Sequence, residues 1–251
     1  MKHAIMATFF VLMTSSIVFG GWQDLLSDVT GNISKSDNRK ESASGPQITN
    51  KEAVSGLKEA LSKGVGVAVG DLGRKDGFWG SKLYRIPMPG SLQTAEKTLR
   101  RIGQDKLADD FLLSMNRAAE EATSEATGIF MDSIKQMTIN DGISILTGPD
   151  DSATAYLRKT SEARLEKRFR PLIESATERV GVTSYYKRMT GQLGLLSAFA
   201  GEDVKDLDGY ITNRAMDSLF ARIAQEEKAI RTNPVERTTD LLKKVFGAYA
   251  K

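Results

Sequence analysis

The groups in this sequence with the means to do chemistry are carboxylates, amines, amides and hydroxyls, because the commonest nucleophiles and metal ligands are nearly missing. The 251 residues include no cysteine and a single histidine, His3. Cys/His zinc sites, cysteine nucleophiles, Ser-His-Asp triads and histidine general bases therefore fall away for any site beyond the first few residues. What is left is acid–base work by Asp, Glu, Lys or Tyr, a hard cation held by carboxylate oxygens, or binding without reaction.

Two polar constellations stand out. The first is Asn116, Arg117, Glu120 and Glu121, with Asp132 and Lys135 further along. At about 100° per residue, Asn116 falls at the edge of an apolar helix face made by Phe111, Met115 and Ala119, while Arg117 and Glu120 point to the other side. A partly buried amide must be satisfied by a neighbouring backbone or by a ligand. The cluster is thus read either as a polar clamp between elements or as a ligand-facing group, with Arg85 on the loop Arg85 to Met88 as a further contact; Arg117 and Glu121 form an i,i+4 pair. The second is Glu227, which lies on the apolar stripe of Met216, Leu219, Phe220, Ile223 and Ile230. A carboxylate there is desolvated unless paired, which marks it as a possible buried site group; Arg231, one turn on, is its natural salt-bridge partner.

Other motifs carry less. Ser55-Gly56-Leu57-Lys58 and Ser184-Tyr185-Tyr186-Lys187 match Ser-x-x-Lys, and Ser36-Asp37-Asn38 matches a second signature of penicillin-recognising enzymes. Their order is wrong for that class and no Lys-Thr-Gly follows. Gly64-Val65-Gly66-Val67-Ala68-Val69-Gly70 lacks the preceding strand and the spacing of a dinucleotide fingerprint, and is read as small residues admitting a close neighbour. Asp150-Asp151 and the group Glu202, Asp203, Asp206, Asp208 lack calcium-loop spacing, and helix caps account for Asp151 and Asp208. The basic run Arg164, Lys167, Arg168, Arg170 is interleaved with Glu162 and Glu166 as on a solvated helix face.

The elements that must position these groups are helical. Apolar residues recur at three and four, as in Phe111, Met115, Ala118, Ala122, Ala126 and Ile129, and nowhere alternate over a strand's length. Thr49 with Glu52, and Asn233 with Pro234 and Glu236, read as capping boxes; Gly148-Pro149, Gly181 and Gly247 read as stops. Helices are expected near 50–70, 91–102, 104–137 with a break near Ser124, 139–147, 151–180, 183–199, 208–231 and 234–246. Arg170-Pro171 is expected to kink or break its helix, and Leu83 to Met88 to form a loop. The fold class is all-α: a single-domain multi-helix bundle over 49–251, with long central and C-terminal helices.

The N-terminus reads differently. Lys2 precedes an uncharged stretch from Ala4 to Phe19, closed by Gly20 and Gly21, in the order of a secretory signal. Residues 1–20 are read as that signal and 21–48 as a short amphipathic piece (Trp22 to Leu26) and a flexible linker. On this reading the exported chain keeps no histidine, and without cysteine it has no thiol for a lipid anchor. The formal net charge of +3 drops to +2 with loss of Lys2, too little to point to nucleic acid or a membrane surface, and no segment after the signal is long enough to span a bilayer.

Five collinear blocks are similar to an exported bacterial family known only as domain of unknown function 4197, an uncharacterised helical family. They are Gly56-Leu57-Lys58-Glu59-Ala60-Leu61, Arg85-Ile86-Pro87-Met88-Pro89, Leu113-Ser114-Met115-Asn116-Arg117-Ala118-Ala119-Glu120, Ile134-Lys135-Gln136-Met137-Thr138, and Arg237 to Gly247. The resemblance runs from about Thr49 to Gly247 and implies an exported helical protein; it implies no activity. The expected role is a periplasmic or secreted, non-enzymatic helical module. It needs no cofactor and binds an envelope protein or a small molecule, through contacts at Arg85, Asn116, Arg117 and Glu120. The alternatives are a carboxylate-dependent hydrolase or lyase, with or without a divalent cation, and a membrane-associating helical protein.

Overall fold

A computed structural model of the chain describes residues 48–179, 181–182, 184–185, 187–188, 206–233, 235 and 239–248. The expected signal, amphipathic piece and linker, most of the helix at 183–199, and Glu202 and Asp203 lie outside these residues. The described residues contain helices and no strand.

Helix α1 (Asn50–Gly73) starts where its cap predicts. The Thr49 side chain accepts from Glu52 N and the Glu52 carboxylate accepts from Thr49 N, closing the capping box. After an irregular segment over 74–89 and a 3₁₀ turn (Gly90–Leu92), α2 (Gln93–Arg101) leads to α3 (Asp105–Thr123). A single 3₁₀ turn at Ser124–Ala126 separates α3 from α4 (Thr127–Gln136), at the break expected near Ser124. Helix α5 (Ile139–Thr147) has a second capping box, Thr138 with Asp141. Two long helices follow, α6 (Ser152–Arg179) and α7 (Leu207–Thr232), then the short α8 (Asp240–Ala248).

The core sits where α1, α3, α6 and α7 meet, with α6 and α7 forming the most extensive pairing and α4, α5 and α8 closing α1 from outside. Phe78, Phe111, Phe130, Phe169 and Phe220 are fully buried. Phe130 and Phe220 meet edge to face, with ring centroids 5.7 Å apart, which joins α4 to α7.

Four local expectations are corrected. Of the kink or break expected at Arg170-Pro171, the break does not occur: helix α6 runs on through Pro171. Leu165, Phe169 and Ile173 are buried on either side of the proline and hold both halves on the core, while Pro171 and Lys167 face solvent, so water can satisfy the carbonyl the proline leaves unbonded. The last helix begins at Asp240 rather than 234: the Asn233 side chain accepts from Val235 N, a turn closed over two residues, and Thr239 accepts from Leu242 N instead. That helix also runs past Gly247, so the glycine does not stop it. The cap of α7 is Asp206, which accepts from Gly209 N, not Asp208, whose carboxylate takes the Thr177 hydroxyl.

Close approach is needed elsewhere than in the Gly64–Gly70 stretch. A Cβ at Gly66 or Gly70 would meet nothing, and one at Gly64 would make only ordinary contact with Glu226. At Gly142 of α5 a Cβ would lie 2.5 Å from Val54 Cγ2 and 2.8 Å from its Cγ1. Gly142→Ala should therefore cost about 1–3 kcal/mol in urea denaturation. With Val54→Ala present the same change should cost less than half as much, and equal costs would show that the contact does not limit the packing. Asp141 supplies a pH test. The Thr138 hydroxyl and backbone N–H hold its carboxyl below the ordinary 3.8, so its contribution is present above that value and lost as pH falls through the lower folded-state value. Asp141→Asn should lower Tm at neutral pH, and the difference from the parent should close in acid.

Candidate functional site

The segment 74–89 is the longest non-helical stretch among the described residues, and its backbone needs partners away from water. Helix α3 supplies them. Asn116, fully buried, accepts from Ile86 N at 2.8 Å through Oδ1 and donates through Nδ2 to Ile86 O at 3.1 Å and Leu112 O at 2.7 Å. Glu120, one turn on, accepts from the successive amides of Phe78 and Trp79, both at 3.1 Å, through Oε1. Its Oε2 takes Arg117 Nη1 at 2.6 Å, and Arg117 Nη2 reaches Asp76 at 2.7 Å. Burial works against the Arg117 charge, but the hydrogen bonds to Glu120 and Asp76 outweigh it and hold the guanidinium above its ordinary value.

Asn116, Arg117 and Glu120 are thus brought together, as their spacing implies, but turned towards the chain itself. The amide is spent on backbone, so the polar-clamp reading describes it, and the ligand-facing reading does not fit its geometry. Arg117 pairs with Glu120 and Asp76 rather than with Glu121, whose carboxylate takes Arg179 of α6. Asp132 and Lys135 lie exposed on α4.

Arg85 joins the same segment from outside. Its Nε donates to Trp79 O at 2.7 Å and its guanidinium lies 3.9 Å from the Trp79 ring centroid. The turn between them is held by the Ser81 hydroxyl, which accepts from Leu83 N and Tyr84 N. Tyr210 of α7 donates to Pro87 O. Entry to the segment is sterically fixed, because a Cβ at Gly77 would strike Asp71 O and Leu72 O at the end of α1. Leu83 projects from this frame, 75% exposed, beside exposed Lys82.

Next to the loop lies a groove of about 210 Å³, lined by Asp71, Arg74, Asp76, Ser81, Tyr84 and Arg222 among others. Both acids are ion-paired, Asp71 with Arg222 and Asp76 with Arg117. The Tyr84 hydroxyl is buried without a hydrogen-bond partner among the described residues, and burial pushes its phenol up, so it stays neutral.

Glu227 is buried, as its stripe predicts, and it pairs with Arg231, as its spacing predicts. Its further partners could not be read from the sequence. Oε1 accepts from Ala153 N and Oε2 from Thr154 N and Oγ1, so a residue of α7 caps the first turn of α6 in the place expected of Asp151. Arg231 extends the link to Ile145 O at the end of α5. The cavity beside Glu227 is about 20 Å³, room for one water, and mostly apolar in its lining. Among the described residues no group of three or more His, Cys, Asp or Glu side chains is arranged to hold a metal ion, and the Lys58 amine of one Ser-x-x-Lys match donates to Lys135 O.

A family model of proteins of unknown function, DUF4197, matches residues 47–247, which take in the loop and its α3 anchors. The chain belongs to that family. No curated protein and no solved structure matches this DUF4197 chain.

Asn116→Ala in the DUF4197 chain would leave the buried Ile86 amide and carbonyl unpaired. The expected cost is about 2–3 kcal/mol, with faster hydrogen exchange at Ile86 and its neighbours than the global loss of stability requires. Exchange that rises uniformly over all helices would show that the clamp does not hold the loop separately.

Proposed function

We propose that this protein is an exported, non-enzymatic helical module that recognises its partner through the anchored 74–89 loop. The observation that carries the reading is a division of labour along this loop. Its inward groups, Phe78, Ile86 and Met88, are buried against the helices, and exposed Asp76 is tied to Arg117 of α3, whereas Arg74, Lys75, Lys82, Leu83 and Arg85 are exposed and make no ion pair among the described residues. A surface held this firmly loses little conformational freedom on binding, and exposed polar and apolar residues on a loop set by a rigid scaffold are the usual form of a recognition surface.

The carboxylate-hydrolase alternative gains less support. Its acids need a free pair facing one cleft, and here Glu120, Glu227, Asp71 and Asp76 are each engaged by an arginine. Export rests on the order of charge, apolar stretch and small residues at the N-terminus.

The test is site-specific photocrosslinking in cells that make the protein, with a photoreactive p-benzoylphenylalanine in place of Leu83 and, as a control, of Ile139, which is half exposed on α5. A discrete adduct from position 83 that weakens with Arg85→Glu is expected. Equal labelling from both positions, or none from either, would remove the loop as the recognition surface.

A further inference from the structure

The outward face of this loop has a composition that identifies a class of partner. Between Leu72 and Gly90 the chain carries four cations, Arg74, Lys75, Lys82 and Arg85, and one acid, Asp76. None of the four cations makes an ion pair among the described residues, while Asp76 is neutralised by Arg117 and the neighbouring Asp71 by Arg222. All four cations are exposed, in two short runs of the segment, Arg74 with Lys75 and Lys82 with Arg85, and Arg74 shares a groove with Ser81 and Tyr84, the residues on either side of Lys82 and Leu83. Arg85 spends its Nε on Trp79 O and its face on the Trp79 ring, and it makes no ion pair among the described residues. A guanidinium held in this way is preorganised for a phosphate.

Charge alone would fit any polyanion. Leu83 decides between them: it is 75% exposed, next to exposed Lys82 and two residues before Arg85, whose guanidinium lies over the half-buried Trp79 ring. A nucleic-acid backbone gains nothing from an exposed leucine, whereas a bilayer takes the leucine below its headgroups, the Trp79 ring near the interface and the lysine and arginine stems alongside. No helix of the described chain is long and apolar enough to cross a membrane, so such contact is peripheral. The Ser81, Glu120 and Asn116 hydrogen bonds fix this tip in one shape.

Resting on the loop being the recognition surface, we propose that its occupant is an anionic lipid surface, with Leu83 entering the acyl boundary and Arg74, Lys75, Lys82 and Arg85 meeting headgroup phosphates. The attraction falls off within about 10 Å at 0.1 M salt, so it depends on the local cluster and not on the near-neutral total.

Trp79 reports on the contact directly, because the only other tryptophan, Trp22, can be replaced. The full chain carrying Trp22→Phe is mixed with vesicles of phosphatidylglycerol or of phosphatidylcholine at low and high salt. Cosedimentation and a blue shift of Trp79 emission are expected with phosphatidylglycerol at low salt, both lost at high salt. Lys75→Gln and Lys82→Gln should each weaken partitioning about fivefold, Leu83→Asp should abolish the emission shift, and Lys167→Gln, an exposed lysine on α6, should change nothing. Equal binding to both lipids, no binding to phosphatidylglycerol, or an unchanged shift in Leu83→Asp would overturn the proposal. So would full competition by free glycerol phosphate, which would assign the site to a soluble anion. If vesicles fail while position 83 still crosslinks to a protein, the lipid assignment alone falls; if position 83 crosslinks to neither protein nor lipid, the recognition surface falls with it.

Discussion

Two buried glutamates do the same work at opposite places in this fold. Each accepts two successive backbone N–H groups from a distant segment and is closed by an arginine on its own helix: Glu120 with Phe78, Trp79 and Arg117, Glu227 with Ala153, Thr154 and Arg231. A carboxylate that receives backbone donors and a guanidinium has its charge compensated and its lone pairs filled, which is the condition under which burial is tolerated. The non-helical loop and the start of α6 depend on this arrangement, since neither satisfies its own amides.

The arrangement also explains how the chain builds a core without disulfides. Helices α1, α3, α6 and α7 bury their apolar faces on one another, and the start of α6, which such packing would strand, is capped by Glu227 of α7. Arg231 carries one link on to Ile145 O of α5, so three helices share a single polar node. Packing sets the contacts, and these nodes fix their register.

Much of the architecture was legible in the sequence because it is local. The capping box at Thr49, the interruption at Ser124, the buried position of Glu227 and its pairing with Arg231 follow from spacing along one helix. At the buried polar groups the failures are non-local. The partners of Asn116 and Glu120 lie 30 to 42 residues away, and periodicity records that a polar group is half buried without recording which way its partner comes. The cap of α6 was sought next to it at Asp151 and comes instead from Glu227, more than 70 residues on. Pro171 failed for a related reason: propensity describes an isolated helix, and the burial of Phe169 and Ile173 overrides it. The net charge, too, averaged away the local excess of cations on the loop.

Because α3 grips the loop chiefly by its backbone, at Phe78, Trp79 and Ile86, the anchoring is indifferent to the side chains at the tip. Position 82 or 83 can change identity without the fold registering it, whereas Asn116, Glu120 and Gly77 cannot. The architecture is therefore suited to drift in specificity: one scaffold can present different tips, and members of a lineage built on it can diverge in what they touch while their cores stay interchangeable.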